Sequence, residues 1–212
     1  MGENRRGALS PQVLVETALR LLDEVGLDGL TVRRLAAELG VRSPALYWHI
    51  RTKQELLDGM ADAIVLAAGM GPPSADETWQ EWLARRARAY RRCLLAHRDS
   101  ARIVAGATRL GAETVARFDE ELAELVRRGF GPVLALRAIT HVTHYVNGFV
   151  LQEQAERPES GQPAGPPGET LAAALREGGS PLGEEAFEHG LRTLVAGIEA
   201  DIEAGLEAGG QR

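Results

Sequence analysis

Apolar residues recur three and four positions apart along almost the whole chain, and no stretch alternates β-branched residues with polar ones. That period stacks side chains on one face of a helix, whereas a half-buried strand needs a period of two, so the chain is predicted to be all-α. Ser10-Pro11 opens a first helix whose inward face is Leu14, Ala18, Leu21, Leu22 and Val25, with Gly26 expected to stop it. A second helix starts after Thr31, buries Val32, Leu35, Ala36 and Leu39, and stops at Gly40, a residue type that readily takes the left-handed terminating conformation. A third begins at Ser43-Pro44 and is expected to run to about Ile50. Thr52, with Glu55 three residues on, is a capping box for a fourth helix carrying Leu56, Leu57, Met60, Ile64 and Ala67.

Gly69 to Pro73 interrupt the pattern, which resumes with helices expected at about 79–97, 100–104, 111–128, 133–155 and 184–206. The long helix 133–155 has Leu136, Ile139, Val142, Val146, Phe149 and Val150 along one side, and helix 184–206 has Phe187, Leu191, Leu194, Ile198 and Ile202. Between Arg157 and Gly168, prolines 158, 163, 166 and 167 and glycines 161, 165 and 168 predict a mobile, irregular loop. The expected organisation is an N-terminal helical domain over 1–52, a linker helix over 53–69, and a larger helical domain over 70–212.

A composition of 44% hydrophobic and 25% charged residues is that of a globular protein. The longest apolar stretch, Ala63 to Met70, is too short to span a bilayer and residues 1–6 lack a signal core, so a cytoplasmic protein without membrane attachment is expected. One cysteine, Cys93, provides neither a disulfide nor a thiolate metal site. The net charge of −6 argues against nucleic acid as a partner, because phosphate neutralisation drives such binding. Locally the balance inverts. From Gly29 to Leu56, Arg33, Arg34, Arg42, Arg51 and Lys53 face only Glu38 and Glu55, a short basic segment on an acidic body.

Within that segment Gly40-Val41-Arg42 is a glycine-containing link of the length found in helix-turn-helix units, which makes the third helix the candidate reader. Its Ser43 can bond base edges, Pro44 and Ala45 can touch thymine methyls, and Tyr47, Trp48 and His49 fall where phosphate contacts belong, with Arg33 as a guanine or phosphate reader. Leu46 and Ile50 form an inward i, i+4 pair, which leaves Trp48 and His49 hard to explain as core. The competing reading is that Tyr47 or Trp48 simply packs in a three-helix mini-core and that the arginines line an ordinary solvated face.

Residues 29–57, GLTVRRLAAELGVRSPALYWHIRTKQELL, resemble the tetracycline repressor (TetR) family, most specifically in Leu46 to His49 and Lys53 to Leu57. The likeness continues through Trp79-Gln80-Glu81, Leu94 to Asp99, Arg128-Gly129-Phe130 and Leu151-Gln152-Glu153, resembling the sensing domain of the family's tetracycline-binding members. The resemblance implies a ligand-responsive repressor on double-stranded DNA, with Arg33, Pro44, Tyr47, Trp48, His49 and Lys53 as DNA-contacting positions. Arg42, Ser43 and Ala45 complete the expected interface. Ser43 and Ala45 stand where the family has glutamine and threonine, so a different operator is expected. The resemblance further implies a homodimer built from helices 133–155 and 184–206 and therefore a pseudo-palindromic operator.

By the same resemblance, Gly69 and Val104 stand where the family's two drug-binding histidines lie, Arg86 at its asparagine, Gln152 at its metal-side glutamate and Tyr90 at its phenylalanine. A hard cation needs oxygen or imidazole ligands, so magnesium-tetracycline is not the expected effector, and no cofactor or metal is expected. Arg86, Tyr90, Val104, Thr108, Glu121, Asn147 and Gln152 are the expected lining for a bulky organic molecule, with Arg86 read as salt-bridged to a nearby glutamate or pairing a ligand anion. His141 and His144 lie three residues apart but lack a third ligand. No nucleophile, base and acid set or phosphate loop is present, so no catalytic residue is assigned and an enzyme is not expected. The alternative is a DNA-binding repressor without small-molecule control.

Overall fold

The computed structural model describes residues 9–155 and 167–209, with side chains to residue 204. Among them it forms ten helices and no strand: α1 (Pro11–Gly29), α2 (Val32–Glu38), α3 (Ser43–Leu46), α4 (Lys53–Ala67), α5 (Trp79–Leu95), α6 (Ser100–Ala105), α7 (Ala112–Arg127), α8 (Pro132–Gln154), α9 (Glu169–Gly178) and α10 (Glu184–Gly209). No helix among the described residues is long and apolar enough to cross a membrane. The chain divides into two compact units, Met1–Met70 with Arg92–Asp119, and Gly71–Arg91 with Glu120–Arg212. Helices α5 and α7 contribute residues to both.

In the first unit, Ser10 Oγ accepts from Val13 N at 3.3 Å and starts α1. Leu14, Ala18, Leu21 and Leu22 are buried along its inward face against Leu35, Leu46, Ile50, Leu56 and Met60. Gly26 breaks the regular helix as expected. It adopts φ +69°, and one further turn follows to Gly29. A side chain at Gly26 would press on Arg98 and Asp99, whose carboxylate accepts from Leu27 N at 2.8 Å, so this joint suits glycine for its conformation and its space. Thr31 caps α2 through Arg34 N at 3.2 Å, and Gly40 at φ +65° turns the chain toward α3.

Helix α3 is shorter than the expected run to Ile50, because regular helix ends at Leu46. A hydrogen-bonded turn follows, in which Leu46 O accepts from both His49 N and Ile50 N at 2.9 Å and still brings Ile50 inward. Thr52 caps α4 through Glu55 N at 3.1 Å, and Glu55 reaches back to Arg51 N at 2.6 Å. Helix α6 packs on α4 and buries Ala101 and Ile103.

In the second unit Trp82, Leu83, Ala87 and Tyr90 of α5 are buried, as are Leu125 of α7 and Ala135, Ala138, Ile139, Val142, Val146 and Val150 of α8. Leu136, expected on this stripe, points outward with Val133. Helices α8 and α10 meet at a close approach, where Tyr145 stacks on Phe187 with centroids 5.6 Å apart and donates its hydroxyl to Phe187 O at 2.8 Å. Arg91 lies 4.5 Å over the Phe187 ring and is bidentate to Glu153, and it also pairs with Glu184. Helix α9 lies between the proline-rich segment and α10, where no helix was expected, and it buries none of its residues. Of the predicted loop, residues 157–166 lie outside the described residues; Pro167 and Gly168 are non-helical.

A Cβ on Gly190 of α10 would overlap the Tyr145 ring and hydroxyl. Gly190→Ala is expected to lower the unfolding free energy by about 1–3 kcal/mol through overpacking. The cost should largely vanish in a Tyr145→Ala background, as a double-mutant cycle by urea denaturation would show.

Candidate nucleic-acid interface and buried polar cluster

The expected reader residues all fall on α2, α3, the turn after it and the start of α4. Arg33 is exposed on α2 and Arg42 at the N-cap of α3, while Ser43 and Ala45 are half-buried and Pro44 exposed. Leu46 and Ile50 anchor this segment below and leave Tyr47 and Trp48 on its outer side. Tyr47 is 52% exposed and Trp48 89% exposed, which removes Trp48 from any mini-core role; His49 is half-buried. Lys53 is exposed in the first turn of α4, beside the backbone N–H groups that a helix N-terminus presents. Among the described residues none of Arg33, Arg42, Arg51 and Lys53 takes part in an ion pair, so the face keeps its positive charge.

One face of α4 carries a polar ladder that sequence reasoning missed. Asp58 accepts from Thr108 N at 2.9 Å, from the Thr108 hydroxyl at 2.8 Å and from Gln54 Nε2 at 2.8 Å, while Gln54 also donates to Gly106 O at 3.1 Å. One turn on, Asp62 accepts from Gly111 N at 2.9 Å and the Thr114 hydroxyl at 2.6 Å. Burial acts to raise the Asp58 pKa, but the bonds from Thr108 and Gln54 outweigh it and hold the carboxyl below its ordinary value. The available signal was the i, i+4, i+8 spacing of Gln54, Asp58 and Asp62 on one side of an otherwise apolar helix.

The second unit holds a buried polar cluster. Arg86 Nε donates to Glu121 Oε2 at 2.9 Å and Nη1 to the Thr143 hydroxyl at 3.1 Å, and that hydroxyl in turn donates to Ile139 O at 2.8 Å. Glu121 is fully buried, and its second oxygen accepts from Gly71 N at 3.0 Å; Gly71 O accepts from Trp82 Nε1 at 2.9 Å. Burial raises the Glu121 pKa, with Arg86 opposing. Tyr90, one turn beyond Arg86 on α5, is 4% exposed and its hydroxyl has no hydrogen-bond partner among the described residues. Burial pushes its pKa up to about 12, so it stays a neutral hydroxyl.

Arg86, Tyr90 and Glu121 thus belong to the second unit, together with half-buried Asn147 and exposed Gln152 on α8. Val104, half-buried on α6, and Thr108, bonded to Asp58, belong to the first. Gly69 follows α4 with φ +71°, a conformation in which a histidine would be strained, and Val104 is aliphatic. These residues and neutral Gln152 do not fit a hard divalent cation. His141 and His144 are both exposed on α8, and among the described residues no group of three or more potential metal-ligating side chains is assembled.

Residues 14–60 match the family described as "Bacterial regulatory proteins, tetR family", and residues 72–202 match "Tetracyclin repressor-like, C-terminal domain". The tetracycline repressor protein class A from transposon 1721 of Escherichia coli is 41% identical over 196 residues, covering 90% of each chain. Among solved structures, TetR from Acinetobacter baumannii AYE superposes with a TM-score of 0.73 at 36% identity, covering 92% of this chain and 98% of the other. TetR (class A) in complex with 5a,6-anhydrotetracycline and magnesium gives 0.70 at 38% identity, covering 91% and 99%. With both halves matched and the helix-turn-helix in place, the chain belongs to the tetR family of bacterial regulatory proteins.

Proposed function

We propose that this protein is a cytoplasmic, ligand-responsive transcriptional repressor that binds a pseudo-palindromic operator as a homodimer and is released by a bulky organic effector other than magnesium-tetracycline. The observation that carries the reading is the outward, charge-uncompensated face of Arg33, Arg42, Tyr47, Trp48 and Lys53 on a helix-turn-helix. Pro44 and Ala45 meet thymine methyls, Ser43 and Arg33 read polar edges, and Lys53 with the α4 N-terminus holds a backbone phosphate. Helices α8 and α10 supply the dimer contact, for which outward Val133 and Leu136 give apolar surface, and two readers then face successive major grooves.

Effector binding acts on the reader through α4. Asp58 and Asp62 tie α4 to the segment that runs from Gly106 to Thr114 and opens α7, and α7 carries Glu121 of the buried cluster farther along the same helix. A ligand that shifts α7 therefore drags on α4, whose first residue is Lys53. Operator must weaken effector binding by the factor that effector weakens operator binding.

A gel shift with the promoter region beside the protein's own gene tests DNA binding. Lys53→Ala is expected to lower the affinity and to flatten the log–log salt slope by about 0.9, the loss of one phosphate contact, whereas Trp48→Ala leaves the melting temperature unchanged. Asp58→Ala and Asp62→Ala are expected to speed amide exchange at Thr108 and Gly111 at least tenfold and to weaken operator binding; exchange that rises with operator affinity unmoved contradicts coupling through α4. Anhydrotetracycline with magnesium is expected to leave the operator complex intact at concentrations on the order of 1 μM, where a chelate site of ordinary affinity would be filled.

A further inference from the structure

We propose that Arg86 and Tyr90 form a two-donor subsite for an acceptor oxygen of an uncharged effector, with Glu121 as the positioning residue that balances the charge of Arg86. The inference rests on the sensor reading above and names the chemistry of its ligand. Arg86 uses Nε on Glu121 and Nη1 on Thr143, while its Nη2 makes no hydrogen bond among the described residues. Tyr90 lies four residues on, on the same face of α5, with a buried hydroxyl that has no hydrogen-bond partner among the described residues. A buried hydroxyl left unbonded opposes folding, so a chain selected for stability alone would carry phenylalanine here. Burial keeps the tyrosine protonated, so it can donate.

The charge balance selects the ligand class. Glu121 is fully buried, sits 2.9 Å from Arg86 and is fixed from its other side by Gly71 N–H, so the guanidinium is already neutralised. An anionic effector would add a second negative charge to a desolvated site, and a cationic one would meet Arg86. A carbonyl, amide or ether oxygen meets two donors with no uncompensated charge.

The test uses matched pairs of one ring system, benzamide with benzoate, 2-naphthamide with 2-naphthoate and 9-anthracenecarboxamide with 9-anthracenecarboxylate, titrated calorimetrically into the full-length protein in the presence of EDTA. At least one amide is expected to bind, and to bind at least tenfold more tightly than its carboxylate. Tyr90→Phe is expected to weaken the amide about five- to tenfold, the loss of one hydrogen bond. It should raise the melting temperature or leave it unchanged, which shows that the weakened binding does not come from a destabilised fold. Glu121→Gln, which uncovers the arginine charge, is expected to reverse the order within the pair. Binding of no amide, a wild-type preference for carboxylate, or an amide affinity unmoved by Tyr90→Phe overturns the proposal; the last needs no variant at the ion pair to fold. Gel shifts on the same preparations separate the two readings: retained operator binding confines such a failure to this subsite, and absent operator binding removes the repressor reading.

Discussion

A helix of four residues has no stability of its own, because one turn fixes several dihedrals for very few hydrogen bonds. Helix α3 holds its shape because Leu46 and Ile50 are buried among Leu14, Leu35, Leu56 and Met60, and everything the reader presents depends on that anchorage. The two anchors are four residues apart, so Tyr47 and Trp48 between them are pushed toward the outer side of the turn. Trp48, 89% exposed, adds nothing to the core beneath it. Its exposure follows from the packing beneath it.

The carboxylates of α4 make a different kind of attachment. Asp58 and Asp62 bond backbone N–H groups and hydroxyls of the 106–114 segment, neutral donors that hold a charged acceptor. Such bonds are directional and are lost over a small displacement, whereas the apolar contact of α6 with α4 tolerates sliding. A helix held by both is suited to two discrete positions, which a two-state regulator requires.

Much of this was legible in the sequence because caps and breaks are local. Ser10, Thr31 and Thr52 announced three helix starts, and Gly40 and the Gly-Pro run announced two interruptions, all through hydrogen bonding or dihedral preference within a few residues. What escaped depended on distant partners. The turn beyond Gly26 exists because Asp99, far along the chain, accepts from Leu27 N. The truncation of α3 reflects how Ile50 reaches the core. Helix α9 was missed because Leu171 and Leu175 bury nothing, leaving intrinsic propensity of an alanine-rich stretch as its one signal. Leu136 matched the apolar period of α8 but lies on the edge that faces outward. The pairing of Arg86 with a glutamate was readable as chemistry, but its identity as Glu121 and the bond to Gly71 were not.

That pair shows why burial and stability are separate questions. Taking a guanidinium and a carboxylate out of water together is roughly neutral relative to a well-packed apolar pair, while removing one partner costs about 3–5 kcal/mol. Asp58 keeps its charge through several neutral donors and its pKa falls; Glu121 has burial against it and its pKa rises despite Arg86. A protein that gains little stability from Arg86 and Glu121, and loses some to the unbonded hydroxyl of Tyr90, holds three polar groups on one patch of its interior at a net disadvantage to folding. The zero net charge of the pair leaves that patch polar without an uncompensated charge.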